Sequence, residues 1–517
     1  MAHRVRRAPS VVVLALLLSS PVACISRGVR TDEVHPAATD VVLTTPTRAH
    51  LADGTTVVYL SGVRVGHDTL RGSGTRYDLT GRRTGSVLAL PTDSVAAIES
   101  LTTTTNTGAT VGLSTLTVVG GTFAAAALAV AIFGSCPTIY SDSAGRPVLE
   151  AETFSYSIAP LFEARDVDRL VAGVGPDGLV RLDVRNEALE THYLNHLELL
   201  DARHAPDETV LPDPRGRVLA VSQTRPAARV IDRAGRSVGP LLAREDGRIF
   251  RTDPRTLRRA SITDFNDYLE ITAAVPPGAD TVALVLTLRN SLLNTVLLYD
   301  EMLGAAGARA VDWLGSDLAT VNGAIELGRW YSSRMGMRIS AWRDGAWQPV
   351  ARLPDAGPIA WRRTAVALAA PAGDSLRLRL EFVADNWRID RLAVGRMREV
   401  QPIHVPLASV VGADGVPDTT ALASLRDPDA NYLETTPGQR FEARFIPPRV
   451  PPGTARTFLL ASQGYYTEWI RGKWIRRATS PRTFVPSDTE LVAALRRWRD
   501  VQGDFERRFE STRIQVR

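Results

Sequence analysis

The chain has 517 residues, 44% hydrophobic and 23% charged, a balance that excludes wholesale disorder and allows about three folded units. Its two cysteines exclude a disulfide framework and any multi-thiolate zinc or iron–sulfur centre, and its eight histidines leave little room for a His-rich metal site. The formal net charge of +5 is no nucleic-acid signature, because Arg4, Arg6 and Arg7 lie in a leader and Lys473 is the only lysine in an arginine-rich composition that reflects GC-rich coding.

Residues 1–24 read as a secretory signal: a basic start, an apolar run from Val11 to Leu18, then small residues. The run is too short to span a bilayer. It ends at Cys24, with Ala23 before it, and this cysteine resembles the lipid-attachment cysteine of bacterial lipoproteins. That resemblance implies lipidation of Cys24. Pro21 stands where such leaders usually carry leucine, and the other reading is an ordinary signal in which Cys24 is incidental.

Residues 25–47 read as a polar linker. Over 48–100, short β-branched runs alternate with turn signals at Asp53-Gly54, Gly62, Gly66, Gly72, Gly74 and Gly81, which predicts a small β-barrel. The order of DG, strand, Leu90-Pro91-Thr92-Asp93-Ser94-Val95 and Ile98-Glu99 resembles the Sm-like or SH3-like barrels of uncharacterised bacterial envelope proteins. Residues 109–133 carry no charge and are rich in Ala, Gly, Thr and Val. As a helix at ~1.5 Å per residue they reach roughly 37 Å, enough for a ~30 Å hydrocarbon core. The segment is expected to be a transmembrane or membrane-inserted helix, the other reading being a buried core helix. A full crossing after an anchor at Cys24 would place 140–517 on the opposite side of the membrane from that anchor, so partial insertion is favoured.

Cys136-Pro137-Thr138-Ile139-Tyr140-Ser141 opens a β-rich region, 136–250, and resembles a CPxxYS motif that follows an apolar segment in a family of uncharacterised bacterial envelope lipoproteins. Residues 259–397 read as a β-sandwich, jelly-roll-like, interrupted by a helix over Asp312–Arg334. Within it Leu376, Leu378, Leu380 and Phe382 alternate with Arg377, Arg379 and Glu381. This stretch, with Trp387 beyond it, resembles the closing strands of galactose-binding-like jelly rolls, where Trp387 reads first as a core anchor and second as a sugar platform. Residues 400–485 form a β-rich closing segment expected to continue 136–250, the sandwich being inserted between them. Residues 488–511 read as an amphipathic helix with Ser487 as N-cap and Leu491, Leu495, Trp498 and Phe505 on one face. Its basic outer face is either solvated or set against anionic lipid headgroups. The fold class expected is thus mainly β, with one apolar helix and a C-terminal α-helix.

No nucleophile elbow, phosphate loop or dinucleotide fingerprint is present. His192 and His196 have the spacing of helical metal ligands, but HYLNH lacks the HExxH glutamate, and a strand would place both on one sheet face beside Leu194 and Glu198. Asp427, Asp429 and Asn431 alternate as calcium ligands do but lack the central glycine and distal glutamate of such loops, and Asp264, Asn266 and Asp267 are similar. No catalytic, cofactor-binding or metal site is assigned, and no cofactor. The expectation is a non-catalytic, membrane-anchored lipoprotein of the cell envelope with β-sandwich modules that bind or scaffold, its partners membrane lipid and an unknown protein or carbohydrate, not nucleic acid. The alternative class is a carbohydrate-active hydrolase whose carboxylates come from separate strands.

Overall fold

The computed structural model describes residues 27–33, 40–44, 47–51, 56–77, 83–105, 136–143, 145–188, 190–306, 321–468 and 485–509, together with 514 and 516. The leader with Cys24 and the apolar stretch 109–133 lie outside these residues. Among the described residues no helix is long and apolar enough to cross a membrane, and the protein is mainly β, built on several sheets.

The N-terminal sheet has eight strands. Ala49, Leu51, Val57, Tyr59, Val63, Val65, Leu70, Leu90 and Ile98 form its core. Two expectations are corrected here. The linker 25–47 supplies strands, since Arg27–Glu33 pairs with Val95–Thr105 and Val41–Leu43 with Val63–Val65. Gly72 and Gly74 are not turns but lie inside the strand Thr69–Tyr77. A Cβ at Gly74 would meet Val57 and Tyr59 at 2.6 and 2.7 Å, so the glycine is there for close approach to the neighbouring strand.

A nine-stranded sheet draws its strands from both 138–204 and 403–468. Its centre is the long pair Glu190–His204 and Ala455–Glu468, flanked by Ile403–Gly412, Arg440–Phe445 and Val180–Arg185 on one side and Ala164–Arg169 on the other. Between these chain halves lie two five-stranded sheets. The first orders Thr209–Pro212, Val218–Pro226, Trp387–Glu399, Thr281–Asn290 and Arg362–Ala369; the second orders Arg229–Asp232, Asn266–Ala274, Ser375–Val383, Met337–Arg343 and Ala346–Leu353. They pack face to face over a core that includes Leu284, Leu286, Ile389, Leu378, Leu380, Ile339 and Trp387. Three strands over 209–232, expected with 136–250, therefore belong to these sheets, and the sandwich begins at Thr209 rather than at 259. Val218–Pro226 pairs with Trp387–Glu399, a partner too distant in sequence for any local pattern to reveal.

Helices form a further layer. A run from Leu293 to Ala306 includes a π-helical stretch, Val296–Leu303. The helix expected over Asp312–Arg334 is described as Val321–Met335, residues 307–320 lying outside the described set. Gly328 inside it lets Phe162 approach, a Cβ there falling 2.9 Å from the ring. The C-terminal helix spans Asp488–Phe509. Ser487 and Glu490 close a capping box: the Glu490 N–H donates to Ser487 Oγ at 3.4 Å and the Ser487 N–H to Glu490 Oε2 at 2.6 Å. Leu491, Leu495, Trp498 and Phe505 are buried as the spacing predicts, with Val492, Ala494 and Phe509.

Candidate functional site

The residues singled out in the sequence do not converge. In the strand Glu190–His204 the register shifts between Leu194 and His196. This bulge makes Leu194 and Leu197 neighbours in one core and sends the two histidines to opposite faces, against the expectation of a common face. His192 is fully buried, its Nε2 3.3 Å from Glu190 Oε2 and its ring edge-on to Tyr466. Burial lowers its pKa to about 3, so the imidazole is neutral. His196 is half-buried on the other face, in the field of Glu198 and Asp427. Asp429 exchanges two hydrogen bonds with Asn195 and closes a turn onto Asn431. Asp264 pairs with Arg233, Asn266 donates to Glu381, and Asp267 accepts from Thr252, three separate destinations. Trp387 is fully buried in the sandwich core. Among the described residues no group of three or more His, Cys, Asp and Glu is placed to hold a metal ion. Cys24 lies outside them.

The polar groups that do converge are interior. Each hydrogen-bonding side chain of Cys136–Ser141 reaches a buried glutamate. The Cys136 N–H donates to Glu190 Oε2 at 3.0 Å and its thiol to Glu152 Oε1 at 3.2 Å. The hydroxyls of Thr138 and Tyr140 donate to Glu187 Oε2 at 2.8 and 2.7 Å, and that of Ser141 to Glu150 at 2.5 Å. The Tyr299 hydroxyl of the π-helical stretch donates to Glu468 and lies 3.2 Å from Glu190 Oε1. Glu152 reaches across to the sandwich, its Oε2 accepting the N–H groups of Ile359 at 2.6 Å and Ala360 at 3.2 Å. Gly357, at φ +76°, lies so close that a Cβ would fall 2.5 Å from the same carboxylate.

Burial dominates the electrostatics of this junction. It raises the Glu152 pKa to about 8, with the charge of Asp355 adding and the amide and thiol donors opposing. Burial likewise raises Asp355 to about 7 against hydrogen bonds from Tyr331 and Asn294. It raises Asp168 to about 8, helped by Asp166 and opposed by Arg362. Arg362 itself bridges the sandwich to the composite sheet through Asp166 and Asp168. These carboxyls are held by the protein's own donors, so the junction acts as a set of internal fasteners. Sequence reasoning missed Glu152, Glu187 and Glu190. The available signal was the row of polar side chains at alternate positions, Cys136, Thr138 and Tyr140, on a strand too buried to face water.

The open feature is a groove of about 650 Å³ between the helix Val321–Met335 and the outer face of the second sandwich sheet. Its described lining carries four arginines, Arg329, Arg334, Arg338 and Arg352, against two carboxylates, Glu326 and Glu381. Trp330, Ser333 and Asn266 supply an aromatic ring, a hydroxyl and an amide. Arg334 is fixed by a bidentate pair with Asp488, at 2.8 and 2.9 Å, and Arg338 by Glu381.

No family model matches the chain, and no curated protein does. Among solved structures, the GH31 alpha-xylosidase of Xanthomonas citri aligns over 73% of this chain and 35% of its own, at 9% identity and a TM-score of 0.14. An infectious bursal disease virus structure, Gt strain, aligns over 92% and 90% at 11% identity and a TM-score of 0.12. A Paenibacillus xanthan lyase aligns over 85% and 50% at 8% identity and a TM-score of 0.14. The chain thus spans about a third of the xylosidase's length. TM-scores of this size carry no argument about fold or activity.

Proposed function

We propose that the protein is a non-catalytic lipoprotein of the cell envelope, anchored through Cys24, whose β-sandwich modules bind a ligand on an exposed face. On this reading the N-terminal sheet is an Sm-like or SH3-like barrel, residues 109–133 are a transmembrane or inserted helix, and the middle sandwich is galactose-binding-like. The observation that carries the binding role is the open groove itself. The buried carboxyls near Cys136 are engaged by amides, hydroxyls and a thiol of the chain, and the groove opens to the surface with guanidinium groups, two of them held by Asp488 and Glu381, around a half-buried tryptophan. Pockets of roughly 300–1,000 Å³ with a few convergent polar groups are the usual form of a small-ligand site.

Two measurements test this reading. Radioactive palmitate should label the full chain in a bacterial host and fail to label Cys24→Ser; equal labelling refutes the anchor. Purified protein should release no reducing ends from cell-wall polysaccharide, and sustained release would establish the hydrolase instead.

A further inference from the structure

The groove is one end of a longer feature. In the second sandwich sheet Leu376, Leu378 and Leu380 point into the core, which turns Arg377, Arg379 and Glu381 outward. On the neighbouring strands Tyr268 and Glu270 stand opposite Glu381 and Arg379, and Arg338 stands opposite Glu381 from the other side. At the far end Trp342 and Trp347 meet edge to face, with ring centroids 5.1 Å apart. The Arg377 guanidinium lies 4.9 Å over the Trp342 ring, and that of Arg379 lies 4.6 Å over both Trp347 and Tyr268. Arg377 is exposed and makes no ion pair among the described residues. Arg338 and Glu381 then lead into the groove, where Arg352, Arg334 and Trp330 continue the surface.

We propose that this outer sheet face and the groove it enters bind an acidic polysaccharide, which deepens the binding-module reading and rests on it. Guanidiniums held over aromatic rings have little freedom left to lose, so they meet a carboxylate or sulfate at low entropic cost. The face is not uniformly cationic. Glu270 and Glu381 pair with Arg379 and Arg338 and Asp488 with Arg334, so guanidiniums and carboxylates are interleaved beside the exposed Arg377, and the carboxylates can accept from hydroxyls. A polymer with one charge per sugar and many hydroxyls complements that pattern. Duplex nucleic acid, with one charge per ~1.7 Å of axis, demands a denser basic surface.

Affinity electrophoresis of the full chain through gels containing polygalacturonate tests the proposal, with dextran as neutral control and poly(dT) as anionic control. The protein should be retarded by polygalacturonate, less so as salt rises, and not by dextran. Arg377→Glu should weaken retardation by about tenfold in Kd, and Trp342→Ala should weaken it too, both with unchanged circular dichroism and melting temperature. No retardation, retardation unchanged in Arg377→Glu, or equal retardation by poly(dT) with the same variant dependence would overturn it. Binding accompanied by release of reducing ends would keep this site and sink the non-catalytic reading, so the two failures are distinguishable.

Discussion

Removing the carboxylate of Asp385 is the sharpest test of how the C-terminal helix is fastened to the sandwich. Asp385 is buried, in the left-handed region at φ +60°. Its oxygens accept from Arg388 at 2.8 and 3.1 Å and from the Trp498 indole N–H at 2.7 Å. Arg388 is only 2% exposed and holds Glu506 at 3.2 Å as well. In Asp385→Ala the guanidinium keeps the Asp385 carbonyl and Glu506 but loses its bidentate partner, which places the loss at the low end of the roughly 3–5 kcal/mol for breaking a buried pair. The orphaned indole N–H adds about 1–2 kcal/mol, and alanine in the left-handed region about 1 kcal/mol more. The expectation is about 5 kcal/mol. Asp385→Asn keeps the shape, tolerates the backbone and retains an acceptor, so it should cost about 2 kcal/mol.

Urea unfolding by circular dichroism measures the totals, and hydrogen exchange of the amides of residues 488–509 localises them. Several units share this chain, so the site-resolved exchange is the cleaner number. If Asp385→Ala and Asp385→Asn both lie within about 1 kcal/mol of the parent, Arg388 is solvated in solution and the fastening account fails.

Glu152 has a folded pKa of about 8 against an ordinary 4.5, so the unfolded chain releases its proton first and stability should fall as pH rises between those values, by a few kcal/mol. Asp355 and Arg289 share its field; melting curves of the parent minus those of Glu152→Gln isolate the effect, and identical pH slopes would refute it. Gly357→Ala should lose about 3 kcal/mol or more, because the left-handed penalty is joined by a clash with Glu152, whereas Gly145→Ala, at φ +80° with open space around it, should lose about 1 kcal/mol, both read from urea midpoints. Ser487→Ala should cost about 1 kcal/mol and speed amide exchange in the first turn of the C-terminal helix. A fragment 205–402 should melt cooperatively, while 259–397, which strips Val218–Pro226 from Trp387–Glu399, should aggregate through its bared strand edge; equal behaviour would show those strands to be dispensable.

What could be read from the sequence was whatever repeats within a few residues. Leu376 to Phe382 alternate because one side of that strand faces the core, and Leu491, Leu495 and Trp498 recur at helical spacing because one side of that helix does. Ser487 and Glu490 announce a helix start because the cap is made by residues three apart. The bulge after Leu194 has no such signature. Its effect is to reverse which face His196 takes, and the alternation argument that grouped His192 with His196 fails at that one extra residue. The π-helical stretch Val296–Leu303 is also silent, since a segment buried nearly all round, Asp300 included, has no exposed polar stripe to show its period. The strands at 209–232 satisfy the strand pattern, but what assigns them to the sandwich is not local: Val218–Pro226 pairs far along the chain with Trp387–Glu399, and Arg229–Asp232 with Asn266–Ala274.

The buried acids connect the junction to the groove. A hydrophobic interface between two sheets tolerates sliding, whereas a carboxyl that must meet particular amides does not, and burying it is a poor way to gain stability alone. Glu152 grips the N–H groups of Ile359 and Ala360, and Asp355 is held by Asn294 and Tyr331. This gripped loop follows directly on the strand Ala346–Leu353, which carries Trp347 at one end and Arg352 at the other. Tyr331 lies on the helix that roofs the groove, beside Trp330. The contacts that hold Asp355 therefore fix the wall and the roof of the groove relative to each other. On the proposed polysaccharide-binding reading, a wall and a roof held in one relation would keep the guanidiniums and rings of that face in place and lower the ordering cost of binding.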